Sequence, residues 1–264
     1  MEKLVETIFL GLIQGLTEWL PVSSTGHLKL AQHFLGWTVP TAFDGILHVG
    51  TLLVIIFFFR KEIRGVLSAL VRLDFKSENG QLIAPIIVAT IPTVLIGLVF
   101  GDAIENYFNG VIPIAAALIS FGVILYISKF GKGQNKKIAI PAALIIGTAQ
   151  GIAITPGVSR SGATIAMALL LGIEHERAFK FSFLLSIPSI LGAAGLTLYE
   201  ERTQLVTAGI GWTEIIAGTV VATIVGYFAL RLLQKTIIGR KFHLFSLYCW
   251  LLGAVLIVAG LSGF

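Results

Sequence analysis

Gly11-Leu-Ile-Gln-Gly-Leu-Thr-Glu-Trp-Leu-Pro-Val-Ser-Ser-Thr-Gly-His27 returns 136 residues later, altered, as Gly147-Thr-Ala-Gln-Gly-Ile-Ala-Ile-Thr-Pro-Gly-Val-Ser-Arg-Ser-Gly-Ala163. Gln14 falls on Gln150, Gly15 on Gly151, Val22 on Val158, Ser23 on Ser159 and Gly26 on Gly162. Glu18, however, meets Ile154, Ser24 meets Arg160 and His27 meets Ala163. One backbone motif is thus kept twice while its polar equipment is divided. The first copy holds a carboxylate, hydroxyls and an imidazole, and the second holds a guanidinium. Brought together they make one composite site for an anion.

The surroundings of both copies are apolar. The chain is 56% hydrophobic and 12% charged, with a mean hydropathy of +0.91, well beyond a soluble domain. The fold class expected is an all-α polytopic membrane protein forming a single membrane domain over residues 1–264. Glu2, Glu6 and Glu18 interrupt the first twenty residues and no small-residue cleavage site follows, so that segment is expected to stay in the mature protein. Cys249 is the only cysteine, which excludes intrachain disulfides and thiolate metal clusters. The net charge of +5 comes from basic residues in short loops beside apolar stretches. Such placement reports membrane orientation, and no nucleic-acid partner is expected.

A hydrocarbon core takes about 20 apolar residues to cross. Six stretches qualify, at about 43–60, 82–101, 112–130, 177–199, 211–231 and 244–262. Two more, about 3–36 and 138–173, are broken by Pro21-Val-Ser-Ser-Thr-Gly26 and Pro156-Gly-Val-Ser-Arg-Ser-Gly162. Each half is short for a crossing, and re-entrant helix pairs are expected.

Loop charge sets the orientation. Arg60, Lys61, Arg64, Arg72 and Lys76 follow the first span. Lys129, Lys132, Lys136 and Lys137 follow the third, and Arg231, Lys235, Arg240 and Lys241 the fifth. These loops are expected in the cytoplasm. The loops 101–110 and 200–212, with Asp102, Glu105, Glu200 and Glu201 against Arg202, are expected outside. Alternation then requires two inverted-topology repeats, 1–130 and 138–264, each a re-entrant pair plus three spans, with both termini outside. Broken helices that meet between such repeats commonly build the substrate site.

Gln14 and Glu18 are four apart and share a helix face. The segments restarting at Ser23 and Ser159 offer helix N-termini, a ready anion site. Both serines are natural N-caps, and Arg160 adds a fork suited to phosphate oxygens. Intramembrane ionisable groups are costly and usually functional. Other roles exist: Glu18 as a structural partner of Arg160, Ser23, Ser24 and Thr25 as caps or helix-packing residues, and His27 as a hydrogen-bonded helix-start residue. Asp44 and His48, also four apart, are ligands or an interfacial pair. The Phe57–Phe59 run reads as lipid-facing.

Gln14-x-x-x-Glu18, Leu-Pro-Val-Ser-Ser-Thr-Gly-His27 and Pro156-Gly-Val-Ser-Arg-Ser-Gly-Ala-Thr164 resemble the undecaprenyl-diphosphatases of the bacitracin-resistance (BacA/UppP) family, over the whole chain. The resemblance implies removal of the terminal phosphate of undecaprenyl diphosphate to recycle a glycan carrier lipid, with Mg²⁺ or Ca²⁺ assisting. It also implies a multi-pass protein of the cell membrane whose site opens outward, with a polyprenyl diphosphate and the bilayer as partners, and it leaves room for a homodimer. By the same resemblance Glu18 binds the metal or acts as base, Ser24 is the nucleophile, Arg160 clamps the diphosphate and His27 orients or protonates a reacting group. Gln14, Ser23, Thr25, Ser159, Ser161 and Thr164 shape the substrate cradle. The family often has Glu where Gln14 stands, so one negative charge fewer is available here for a metal. The rival from another class is a polyprenyl-phosphate transporter or flippase, since inverted repeats also serve alternating access. A transporter needs only the clamp, whereas Glu18, Ser24 and His27 add a base and a nucleophile beside it. A purely structural scaffold leaves the ionisable groups unexplained.

Overall fold

A computed structural model describes residues 2–37, 39–207 and 210–262, apart from the side chains of Glu2, Thr41, Leu198 and residues 200–207. It is helical, with no strand among the described residues. Helix α1 spans Glu2–Trp19 and α2 spans Ser24–Leu35, separated by the first break. Then come α3, Thr41–Phe58, and α4, Arg60–Val71. Helices α5, Ile83–Tyr107, and α6, Val111–Ile127, complete the first half. The second half holds α7, Ile140–Ile152, and α8, Arg160–Leu170, around the second break. It continues with α9, His175–Thr207, α10, Trp212–Ile238, and α11, Phe245–Leu261.

Five helices, α5, α6, α9, α10 and α11, are long and apolar enough to cross a membrane. Helix α3, with 18 residues, reaches about 27 Å, and it makes a sixth span only if it is counted together with α4, the helix bent from it. With 13 and 11 residues, α7 and α8 are each too short to cross. The 18 residues of α1 exceed the half-hairpin expected, but Glu2, Lys3, Glu6 and Glu18 keep it from reading as an apolar span.

Several boundaries differ from the sequence reading. The stretch 60–76, read as a charged loop, contains α4, which turns 80° away from α3. Its apolar positions Ile63, Val66, Leu67 and Leu70 recur at helical spacing, and the basic residues between them hid that period. Asp102 and Glu105 lie on α5, and Arg231 and Lys235 on α10, because these helices run beyond their apolar cores. Helix α9 likewise runs through Glu200, Glu201 and Arg202, whose side chains lie outside the described residues. The Phe57–Phe59 run divides: Phe57 is exposed, while Phe59 is buried and stacks on Phe183 at 5.7 Å.

Small residues bring the halves together. A Cβ at Gly15 would sit 2.6 Å from the Ala222 carbonyl oxygen of α10. One at Gly147 would sit 2.6 Å from Ala89 Cα of α5. Thus α1 lies on α10 and α7 on α5, while α3 packs on α9 and α6 on α11.

The connections sort to two ends. Arg177 and Lys180 at the start of α9 meet Glu78 and Glu62. Asn135 bridges to Ile173, and the turns Ser128–Phe130 and Phe242–Leu244 touch. At the other end Lys29 reaches Glu105 at 3.2 Å and Asn109 at 2.9 Å. Trp37 and Ile210 pack there around Leu28 and Phe43.

Candidate active site

The two breaks are tied to each other by hydrogen bonds. Pro21 and Pro156 stop their helices, and serine caps restart them. Ser23 Oγ accepts from Gly26 N at 3.3 Å, and Ser159 Oγ from Gly162 N at 3.2 Å. The same Ser23 oxygen accepts from Gly157 N at 2.9 Å across the interface. In return Ser159 donates to the Leu20 carbonyl at 3.3 Å and Ser161 to the Trp19 carbonyl at 3.0 Å. Ser23 holds this position at φ 69°, a left-handed conformation uncommon for serine. Gly157, at φ 99°, leaves no room for a side chain, since a Cβ would approach the Ile114 carbonyl at 2.6 Å. Ser23, Ser159 and Ser161 therefore spend hydrogen bonds on joining the breaks. Thr164 bonds back to the Arg160 and Ser161 carbonyls and meets Ser182 Oγ.

Glu18, on the last turn of α1, is buried at 7% exposure and is the hub of the site. Its Oε2 accepts from Ser24 Oγ at 2.6 Å and from Gln14 Nε2 at 3.0 Å. His48 Nε2 approaches the same oxygen at 3.3 Å. His48 Nδ1 lies 2.8 Å from the Asp44 carbonyl, which can only accept, so Nδ1 carries a hydrogen. Nε2 therefore makes the contact to Glu18, and the two form an ion pair when the ring is protonated. Asp44 Oδ2 accepts from Gln32 at 3.4 Å. Gln14 Oε1 and Asp44 Oδ1 are buried without a hydrogen-bond partner among the described residues. Orphaned polar atoms of this kind call for an explanation, and a ligand supplies one.

Arg160 opens α8 with its buried Nη1 also unpartnered. It lines a narrow cavity with Glu18, Gln150, Thr164, Ser182 and Ser186. The free volume of about 10 Å³ suits a single water. Gln150, the repeat mate of Gln14, donates to Ser189 at 2.7 Å and to Thr93 at 3.2 Å. His27 stands one turn from Ser24 at the rim, with Nδ1 2.7 Å from the Ser23 carbonyl and Nε2 2.7 Å from the Tyr248 hydroxyl. Thr25 is half-buried, and its side chain makes no hydrogen bond among the described residues.

The structure thus gathers Gln14 and Ser24 on Glu18 and sets Arg160 on a cavity that Glu18 also lines. It raises His48 from a secondary candidate to a direct partner of Glu18. Ser182, Ser186 and Tyr248 were missed. The two serines are four apart on one face of α9, a spacing visible in the sequence, whereas nothing local marks Tyr248. Among the described residues no group of three or more His, Cys, Asp or Glu could hold a metal ion. The donors for a cation are the Glu18 carboxylate and the unpaired Gln14 Oε1. They suit an oxygen-seeking divalent ion that takes its remaining ligands from phosphate and water.

The class of protein so defined is an all-α membrane protein with a buried carboxylate that binds a hydroxyl and shares a narrow cavity with an arginine at two broken helices. More specifically, the chain belongs to the bacitracin resistance protein BacA family, whose model matches residues 7–255. It is similar to proteins named undecaprenyl-diphosphatase. That of Desulforapulum autotrophicum is 40% identical over 98% of this chain and 99% of its own. Those of Halothermothrix orenii and Carboxydothermus hydrogenoformans are 39% and 41% identical, covering 97% and 98% of this chain and 98% of each relative.

Proposed function

We propose that this protein is an undecaprenyl-diphosphatase, a membrane-embedded hydrolase that cuts the terminal phosphate from undecaprenyl diphosphate and leaves the lipid monophosphate. The observation that carries the reading is the Ser24 hydroxyl held 2.6 Å from buried Glu18, which itself shares a narrow cavity with Arg160. The names of the similar proteins support it.

Glu18 takes the Ser24 proton as Oγ attacks the outer phosphorus. The bond from that phosphorus to the bridging oxygen breaks, and the lipid monophosphate leaves with the electron pair. Water then hydrolyses the phosphoserine, which releases phosphate and restores the hydroxyl. His48 holds Glu18 in place, and Arg160 offers a planar fork to the phosphate oxygens. Phosphoryl transfer depends chiefly on such positioning and neutralisation. Mg²⁺ or Ca²⁺, held by Glu18 and Gln14, would add further neutralisation of the diphosphate when bound.

The reading includes a cell-membrane location, a site that opens to the outer face and two inverted repeats, 1–130 and 138–264. The reciprocal packing of α1 on α10 and α7 on α5 supports the repeats. A transporter needs the clamp but not the Ser24–Glu18 pair, so hydrolysis is favoured.

The test is phosphate release from a prenyl diphosphate by purified protein, with and without chelator. Wild type is expected to release phosphate and Ser24→Ala to bind lipid without turnover. Wild type that binds but never releases phosphate with Mg²⁺ or Ca²⁺ present would return the transporter, and a fully active Ser24→Ala would make water the nucleophile.

A further inference from the structure

Three consecutive residues of α11 each make a directed contact to a different part of the site's frame. The Tyr248 hydroxyl lies 2.7 Å from His27 Nε2 on α2. Cys249 Sγ lies 3.6 Å from the Pro21 carbonyl in the first break. Trp250 Nε1 donates to the Ile119 carbonyl of α6 at 3.2 Å. This turn of α11 is thereby fixed against the first break from both sides, and Tyr248 is set at the rim by that frame.

The chemistry of the pair follows from its acceptors. The Ser23 carbonyl, 2.7 Å from His27 Nδ1, has no hydrogen to give, so Nδ1 carries one. In the neutral ring Nε2 is then the lone-pair nitrogen, and the phenol donates to it. The two rings also lie nearly parallel, 17° apart with centroids at 5.8 Å, which suits a phenol hydrogen directed into the plane of the imidazole at Nε2. His27 follows Ser24 by three residues and shares its side of the helix.

We propose that Tyr248 is a positioning residue for the phosphatase reaction, holding the His27 ring, whose tautomer the Ser23 carbonyl sets, in one orientation one turn from Ser24. The proposal rests on the hydrolase reading for its kinetic consequence, but not for its structural one. Nothing within either repeat motif supplies this contact: it comes from the last helix, 221 residues along the chain.

Tyr248→Phe keeps the ring and removes the hydroxyl, and Tyr248→Ala removes both. Tyr248→Phe is expected to lower kcat for prenyl diphosphate by about tenfold with little change in KM, the effect of a misplaced group rather than of lost binding. In a His27→Gln background the same substitution is expected to cost nothing further, because the two residues act as a unit. Nitrogen-15 spectra of the histidine rings are expected to show the Nδ1–H tautomer for His27 in both proteins, with the Nε2 resonance shifted in Tyr248→Phe because it loses the phenol's hydrogen bond. Wild-type kcat in Tyr248→Phe, or an additive loss in the double variant, overturns the proposal. So does an unchanged His27 spectrum, which is readable even if the wild type releases no phosphate and the hydrolase reading itself falls.

Discussion

Arg160 stands where the first motif has Ser24, and the fold brings these two divergent positions onto one site. Among the described residues its buried Nη1 has no hydrogen-bond partner, although five guanidinium N–H groups are available and burial of an unpaired one is costly. A phosphate is a matching partner in chemistry, since the planar fork pairs with two oxygens at once. Arg160→Lys keeps the charge and loses the fork. We expect phosphate release to fall by about a hundredfold while thermal unfolding in detergent is unchanged. Near-normal turnover in that variant would remove the clamp. Gln14, Glu18, Ser24 and Arg160 were legible in sequence because polar groups inside apolar helices are rare and conspicuous. His48 was half legible: its spacing from Asp44 was plain, but its partner Glu18 lies thirty residues earlier, and only the packing of α3 beside α1 joins them. Ser23, Ser159 and Ser161 were seen as cradle residues, but the backbone groups that claim their hydroxyls, the Gly157 N–H for Ser23 and the Leu20 and Trp19 carbonyls for Ser159 and Ser161, belong to the opposite break and leave no trace in local sequence.

At the scale of helices, the glycines of the repeated motif explain how two short hairpins seat in a bundle without a hydrophobic drive between helices in lipid. Gly147 is placed so that any side chain would strike the backbone of α5 at Ala89. Backbone cannot swing aside as a side-chain tip can, so α7 would have to move away, taking Gln150 and the second break with it. Gly147→Ala is expected to destabilise by about 1–3 kcal/mol, read as a lower unfolding temperature in detergent, and to reduce turnover. Gly97→Ala on α5 is the control, since nothing lies within 4 Å of its added carbon. Equal stability of the two variants would refute the close crossing. The hairpin breaks and most spans were readable from proline, glycine and hydropathy. Two things were hidden. The charged ends of α5 and α10 stay helical because a helix can continue past the hydrocarbon core, and α4 is amphipathic, so its charges masked its period. Leu67, Leu70 and Val71 on α4 are exposed beside Lys61 and Arg64, the pattern of a helix lying in a membrane interface.

For the whole molecule, the two ends of the bundle differ in charge. The α4 segment, the Lys129–Lys137 connection and the α10–α11 turn carry most of the basic residues. They lie at one end, linked by the Arg177–Glu78 ion pair, the Asn135–Ile173 bridge and the touching turns at 128–130 and 242–244. Asp102 and Glu105 lie toward the other end, where Lys29 meets Glu105. Membrane proteins generally retain the Lys- and Arg-rich end in the cytoplasm, and on that rule we propose that the end with Glu105 faces out and that the two halves are inverted. A cysteine placed at Gln134, in a protein whose own Cys249 is buried, tests it directly. An impermeant thiol reagent is expected to leave Gln134→Cys unlabelled in intact cells and to label it after permeabilisation, while Asn109→Cys reacts in both. Labelling of position 134 in intact cells would reverse the orientation, and with it the outward-facing site at which a carrier lipid would be recycled.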